Sequence, residues 1–260
     1  MMSPTQLELL MYDYRPKNIL ATAITASALF FTGAATAEDT TETAVPASAA
    51  ITNSVNSLNA RSSLESVRTS PVPGLMEVRA DGQILYFTED GQYLVAGDIY
   101  RVSDRSNVTE TSRARIRSEL LAGSDSKTHI RFGPDDAKDT VYVFTDTSCA
   151  YCQRFHDEVP ALNAAGIAVE YVAWPRGGSR SPAYDAMTSA WCAPDKAKAY
   201  GEVLAGKSVS TNACSSPIMV HHELGTRLGV QGTPAIYTQN GQQLGGYVEA
   251  QRIIEALSAP

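Results

Sequence analysis

The 260-residue sequence predicts an α+β protein in two parts: a small N-terminal antiparallel sheet and, joined to it by a helix, a larger unit mixing strands and helices. Three observations predict it. Short β-prone runs at 75–79, 84–88 and 93–95 are separated by the turn pairs Asp81-Gly82 and Asp90-Gly91, which suits a meander. A charged helical pattern carrying Ile116, Leu120 and Leu121 follows between Val108 and Gly123, where Thr109, Thr111 or Ser112 could cap it. Beyond it, strand and helix patterns alternate to the C-terminus.

Taken in order, residues 1–37 read as a targeting segment. Arg15 and Lys17 precede an apolar stretch over 19–31, and Ala35-Thr36-Ala37 is a small-residue cleavage site, with Met1, Met2 or Met11 as the start. The apolar stretch falls short of the roughly 20 residues that cross a bilayer, which argues against a membrane anchor. Export is the expected consequence, and a bacterial-type periplasm the expected compartment. Residues 38–50, rich in Thr, Ala and Ser, read as a flexible lead-in.

A weakly helical pattern runs over 51–67 until Pro71 and Pro73 break it, and 97–102 is a candidate last strand of the meander. A sheet this small buries little core alone, so the 51–107 region should pair with something, a second copy of itself being one option. The 108–125 segment is read as a linker helix, the alternative being a helix packed within a single domain.

From 126 to 260 the pattern is strand at 140–145, helix at 151–164 and strand at 168–174, then a long helical stretch with Val220, Leu224 and Leu228 in register. Strands at 235–237 and 243–247 follow, turned by Asn240-Gly241, and a helix over 249–257 ends the chain. A β-α-β unit implies a parallel pair with a right-handed crossover. The whole order, with its helical insertion before β-β-α, is the thioredoxin arrangement.

Composition narrows function mainly by exclusion. With 28 carboxylates against 21 Lys and Arg, the chain lacks the positive balance of a broad nucleic-acid footprint. Arg113, Arg115 and Arg117 are read as a solvated helix face. All four cysteines (149, 152, 192 and 214) follow the targeting segment, and an even count suits a disulfide-permissive compartment.

The chemistry-bearing motif is Cys149-Ala150-Tyr151-Cys152, set where a strand hands over to a helix. Unpaired N–H groups and partial positive charge at a helix start favour a thiolate, the species that attacks a disulfide sulfur. Zinc is the rival, but it needs four ligands, and Cys192 and Cys214 stand far apart; His156 would complete only a partial set. No metal and no cofactor is expected. Asp146 and Thr147 could cap the helix.

Thr233-Pro234, just before the final hairpin, lies where thioredoxin-like folds place a cis-proline loop that pairs with a substrate backbone. Cys192 and Cys214 are preferred as a structural disulfide in the insertion, a second redox pair being the alternative. Trp174, Trp191 and Tyr171 are read as core residues, Tyr151 as the rim of the dithiol site, and His221 and His222 as surface residues. Asn107-Val108-Thr109 is a glycosylation sequon only on a eukaryotic pathway.

The segments Phe144-Thr-Asp-Thr-Ser-Cys-Ala-Tyr-Cys152, Tyr171-Val-Ala-Trp-Pro-Arg-Gly177, Trp191-Cys192, Ala205-Gly-Lys-Ser-Val209 and Gly232-Thr-Pro-Ala235 together resemble the DsbC/DsbG family of bacterial periplasmic thiol:disulfide interchange proteins. The likeness extends to Gly82-Gln-Ile-Leu-Tyr-Phe-Thr-Glu-Asp-Gly91 and so spans nearly the mature chain. The resemblance implies a homodimer paired through the 51–107 domain, with two thioredoxin-like domains facing an apolar cleft. It implies Cys149 as nucleophile, Cys152 as resolving thiol, Thr233, Pro234 and Tyr151 as substrate contacts, and Cys192–Cys214 as structural. Its partners would be misoxidised exported proteins and a membrane-bound thiol reductase of DsbD type.

Two positions depart from the pattern. Ala150 stands where familiar members carry Gly, and Val143 stands where thioredoxin has a buried acid, leaving Asp146 as a substitute proton acceptor or a helix cap. The second cysteine pair, which the DsbG branch lacks, favours a disulfide isomerase. A DsbG-like reductase protecting single cysteines and a dimeric periplasmic chaperone are the alternatives.

Overall fold

The computed structural model describes residues 46, 48–210 and 214–258; the expected targeting segment lies outside them. The first element, α1 (Ala49–Leu58), starts inside the expected lead-in, with Ser48 as its N-cap accepting from the Ile51 N–H. It ends sooner than its weak pattern predicts, because the chain re-enters the sheet as β1 (Leu64–Thr69). Only Val67 of β1 is buried, so tertiary pairing rather than an apolar signal makes it a strand.

Strand β1 pairs antiparallel with β2 (Leu75–Ala80), β2 with β3 (Gln83–Thr88), and β3 with the short edge strand β4 (Leu94–Val95), giving the order β1-β2-β3-β4. Ile51 and Val55 of α1 pack on Val67, Val78 and Phe87. The 97–102 segment is not a strand. It makes a single bridge, Tyr100 to Asn107, because its N–H groups serve the helix start instead: the Ile99 N–H donates to Thr109 Oγ1 at 2.8 Å.

Helix α2 (Val108–Ala122) is capped by Asn107, whose side chain accepts from the Glu110 N–H, rather than by Thr109, Thr111 or Ser112. Thr109 and Ser112 are buried and bond instead to Tyr86 and Glu77 of the sheet, at 2.7 and 2.6 Å. Ile116 packs with Ile84 and Tyr86, whereas Leu121 joins the core of the C-terminal half, so one helix is shared by both cores. The solvated-face expectation fails at Arg117, which is buried, paired with Glu110 at 2.6 Å and set over the Tyr237 ring.

The C-terminal sheet has the order β5-β7-β6-β8-β9, built from β5 (Ile130–Phe132), β6 (Asp139–Thr145), β7 (Ile167–Ala173), β8 (Ala235–Thr238) and β9 (Gln243–Gly245). Strands β6 and β7 are parallel and the other pairs antiparallel. Every residue of β7 is buried, as befits a central strand covered on both faces.

The helix expected over 151–164 divides into α3 (Ala150–His156) and α4 (Val159–Ala164), because Pro160 has no N–H for the His156 carbonyl. The insertion supplies α5 (Tyr184–Trp191), α6 (Lys196–Leu204) and α7 (Ile218–Leu228), and α8 (Ala250–Ser258) closes the chain. Among the described residues no helix is long and apolar enough to cross a membrane.

Candidate active site

Strand β6 ends at Thr145, and the four residues before α3 fold over a buried carboxylate. Asp146 is fully buried; its Oδ1 accepts from Ser148 N–H and Oγ–H at 2.8 and 2.7 Å, and its Oδ2 from Arg176 N–H and Nε–H at 2.8 and 3.2 Å. Burial alone would raise its pKa, but these bonds outweigh it and hold the carboxyl below the usual range. Asp146 therefore braces the loop rather than capping α3, whose N-cap is Cys149 itself, with no side-chain cap bond.

That placement gives the two thiols different surroundings. Cys149 donates its thiol hydrogen to the Thr233 carbonyl at 3.2 Å. Burial pushes the Cys149 pKa up and is the largest single influence, yet the donors available to its thiolate, the Thr233 hydroxyl, the Cys152 and Tyr151 N–H groups and the Cys152 thiol, carry it below the ordinary thiol value. Cys152, one turn into α3, is fully buried, and desolvation drives its pKa up to about 12. Both thiols are free. The site thus holds one thiol disposed to ionise and one disposed to keep its proton.

The Thr233–Pro234 peptide is cis, and Thr233 Oγ1 is buried without a hydrogen-bond partner. The loop opens on a groove of about 480 Å³ lined by Gln231, Gly232, Thr233, Pro234, Gly245 and Gly246. Tyr151 is exposed, its ring 6.2 Å from the Tyr247 ring, over which Arg154 lies at 4.6 Å. Cys192 and Cys214 form a disulfide that ties the end of α5 to the segment before α7. All seven cysteine, tyrosine, threonine and proline positions expected from the sequence therefore fall into two groups, the dithiol with its rim and the insertion disulfide.

Two expectations change. His221 is buried, not on the surface: Ala173 N–H donates to its Nδ1 at 3.3 Å and its Nε2 meets Thr128 Oγ1 at 2.8 Å. Trp174 is only half-buried, stacked on His222 with ring centroids 5.2 Å apart. The sequence assigns no part to Arg176, Thr145 or Tyr200, although Arg176 braces the loop before Cys149 and Thr145, bonded to Tyr200, is within hydrogen-bonding reach of Cys152. Arg176 and Thr145 lie in segments that carry the family resemblance; Tyr200, paired with Thr145 at 2.7 Å, has no local signal.

Residues 128–259 match the family model described as a thioredoxin-like domain, and residues 42–110 match that of the disulfide bond isomerase N-terminal domain. The thiol:disulfide interchange protein DsbC of Salmonella typhimurium is 39% identical over 223 residues, 86% of this chain and 88% of that protein. This chain belongs to the DsbC family. The Escherichia coli K12 DsbC is 35% identical over 87% of this chain and 90% of its own length, and that of Dickeya dadantii 36% over 81% and 87%. As a DsbC-family protein it is a thiol:disulfide oxidoreductase, and both of its halves, the small sheet and the thioredoxin-like domain, match those of a disulfide isomerase.

Proposed function

We propose that this DsbC-family chain is a periplasmic isomerase that reshuffles non-native disulfides in exported proteins, starting from its reduced dithiol. The Cys149 thiolate attacks a substrate disulfide; one substrate sulfur leaves as a thiolate and the other is held in a mixed disulfide. A substrate thiolate then displaces Cys149 and forms a new pairing, or Cys152 displaces it and the substrate departs reduced. The carrying observation is the split between the thiols: a Cys149 disposed to ionise beside a protonated, buried Cys152 leaves the mixed disulfide time to rearrange. Thr233 and Pro234 border the groove where an extended substrate backbone would lie, and the exposed Tyr151 beside the nucleophile is free to contact it.

The edge strand β4 supports a homodimer. Leu94 and Val95 are exposed on it, with Tyr93, Tyr100 and Val102 exposed nearby, an apolar edge that a second copy would cover. Return of an oxidised dithiol to the reduced state calls for a thiol reductase partner, of the membrane-bound DsbD type.

Refolding of a scrambled multi-disulfide protein tests the reading. Cys149→Ser should abolish rescue, and Cys152→Ser should accumulate mixed disulfides visible on non-reducing gels. Full rescue by the Cys149→Ser variant would sink the proposal.

A further inference from the structure

The groove beside the dithiol does not end at the Thr233–Pro234 loop. Gly229, Gln231 and Gln243, which line it, also line a second cavity of about 510 Å³. The rest of that lining comes largely from the N-terminal half: the Asp81-Gly82 turn and Gln83 at the head of β3, with Arg113 and Arg117 of α2. Arg227, in the last turn of α7, completes it.

Glycines leave room along both cavities. A Cβ built on Gly82, Gly97, Gly229, Gly232 or Gly245 would meet no atom within 4 Å. Gly82 and Gly97 line the second cavity, Gly232 and Gly245 the groove, and Gly229 both. An extended chain seated at the loop therefore finds open space from the loop to the N-terminal sheet.

The charges on this lining differ from those of the chain. The protein has a net charge of -7, yet three arginines and a single carboxylate, Asp81, line the cavity. Asp81 is committed, its Oδ1 accepting from the Ser63 N–H at 2.8 Å. Arg113 is paired with Asp98 at 2.7 Å and Arg117 with Glu110 at 2.6 Å, acids that lie outside the lining. Arg227 differs from both. It is exposed and makes no hydrogen bond or ion pair among the described residues, although Glu223 stands one turn earlier on α7. A guanidinium presents a planar fork of donors that matches a carboxylate.

We propose that the substrate polypeptide continues from the Thr233–Pro234 loop into this cavity, where Arg227 binds a carboxylate that the substrate carries near its reactive cysteine. Thr233 lies four positions after Gly229, a span of at most about 14 Å, so the carboxylate belongs about three to six residues from that cysteine. Arg113 and Arg117 stay with their own acids and shape the wall, which leaves Arg227 as the specificity-determining residue. A disulfide flanked by Asp or Glu at this spacing is attacked in preference to one flanked by Lys.

This inference rests on Cys149 attacking a substrate held at the loop, and one assay keeps the two claims apart. Extended peptides with a single cysteine are blocked as the neutral thiopyridyl disulfide. The Cys149 thiolate bonds to the peptide sulfur, and the S–S bond breaks with its electron pair going to the thiopyridine, which takes up a proton and absorbs as the thione. Glu, Gln or Lys is placed at one position at a time, scanned over about eight residues on either side of the cysteine. Release by the reduced protein should be about fivefold faster for Glu than for Gln at positions about three to six residues away on one side, and slower again for Lys. The difference should fade in about 0.5 M salt. Arg227→Gln should erase the Glu preference and leave the Gln peptides within about twofold of wild type, and Arg227→Glu should transfer the preference to Lys, a reversal that a merely structural role would not produce. Dipyridyl disulfide, which has no flanking chain, should react equally with the wild type and both variants, and so certifies the fold. Equal rates for Glu and Gln at every position in wild type, or a Glu preference that survives in Arg227→Gln, overturns the acid subsite. Release that survives in Cys149→Ser overturns the assignment of the nucleophile instead.

Discussion

The Thr233 carbonyl accepts the Cys149 thiol hydrogen at 3.2 Å, while the hydroxyl of the same residue is buried and unpartnered. One residue therefore offers an acceptor to the thiol and a donor to the thiolate. Ionisation of Cys149 swaps one for the other without moving the loop.

The thiols should separate cleanly by alkylation. Carbamidomethylation of the reduced protein, followed by peptide mass mapping across pH, should modify Cys149 with a midpoint below the free-thiol value of roughly 8.5. Cys152 should stay unmodified until far more alkaline pH, in keeping with its pKa of about 12. Equal modification of both near neutrality would contradict the site geometry.

Gly241 is the point where the final hairpin meets α2. Its φ is +80°, and a Cβ there would lie 1.8 Å from the Ala114 carbonyl oxygen. Gly241→Ala should cost about 2–5 kcal/mol, from left-handed strain and from pushing the helix away. A thermal unfolding midpoint unchanged from wild type would show that the contact carries no weight.

Acid should destabilise the fold through His221. Burial is the main cause that lowers its pKa from 6.5 to about 3, aided by His129 and Lys196. The unfolded chain binds the proton more readily, so the stability due to a neutral His221 is complete above about pH 6.5 and is lost as pH falls toward about 3. Unfolding free energies from urea titrations at about pH 7 and about pH 4.5 should differ in wild type by about 2–3 kcal/mol, and by less in His221→Gln.

Removal of the Cys192–Cys214 bond closes no part of the dithiol site but frees the insertion. The bridge spans a sequence separation of 22, so a double Ser variant should lose roughly 3 kcal/mol. The Cys149 alkylation profile should not move. A shifted profile would mean that the second pair takes part in the redox chemistry.

What could be read in the sequence divides along a physical line. The meander strands, the strand before Cys149 and the final β-β-α unit announce themselves by local periodicity and turn pairs, and the dithiol by its spacing. Strand β1 escapes because a single buried valine gives no alternation; it exists only because β2 offers it an edge. His221 escapes because adjacency to His222 says nothing about which ring a neighbouring strand will cover. The Thr145–Tyr200 and Tyr171–His156 pairs join residues 55 and 15 positions apart, and no local pattern encodes which partners such separated side chains will find.

The two cysteine pairs follow one another along the chain without interleaving. Four cysteines permit three pairings; the disulfide this fold holds joins the third with the fourth and leaves the first and second as free thiols. An oxidant that joins cysteines in the order in which they emerge from a membrane would therefore make no error on this polypeptide. A protein proposed to untangle the crossed bonds of others can mature with no prior copy of itself to correct it.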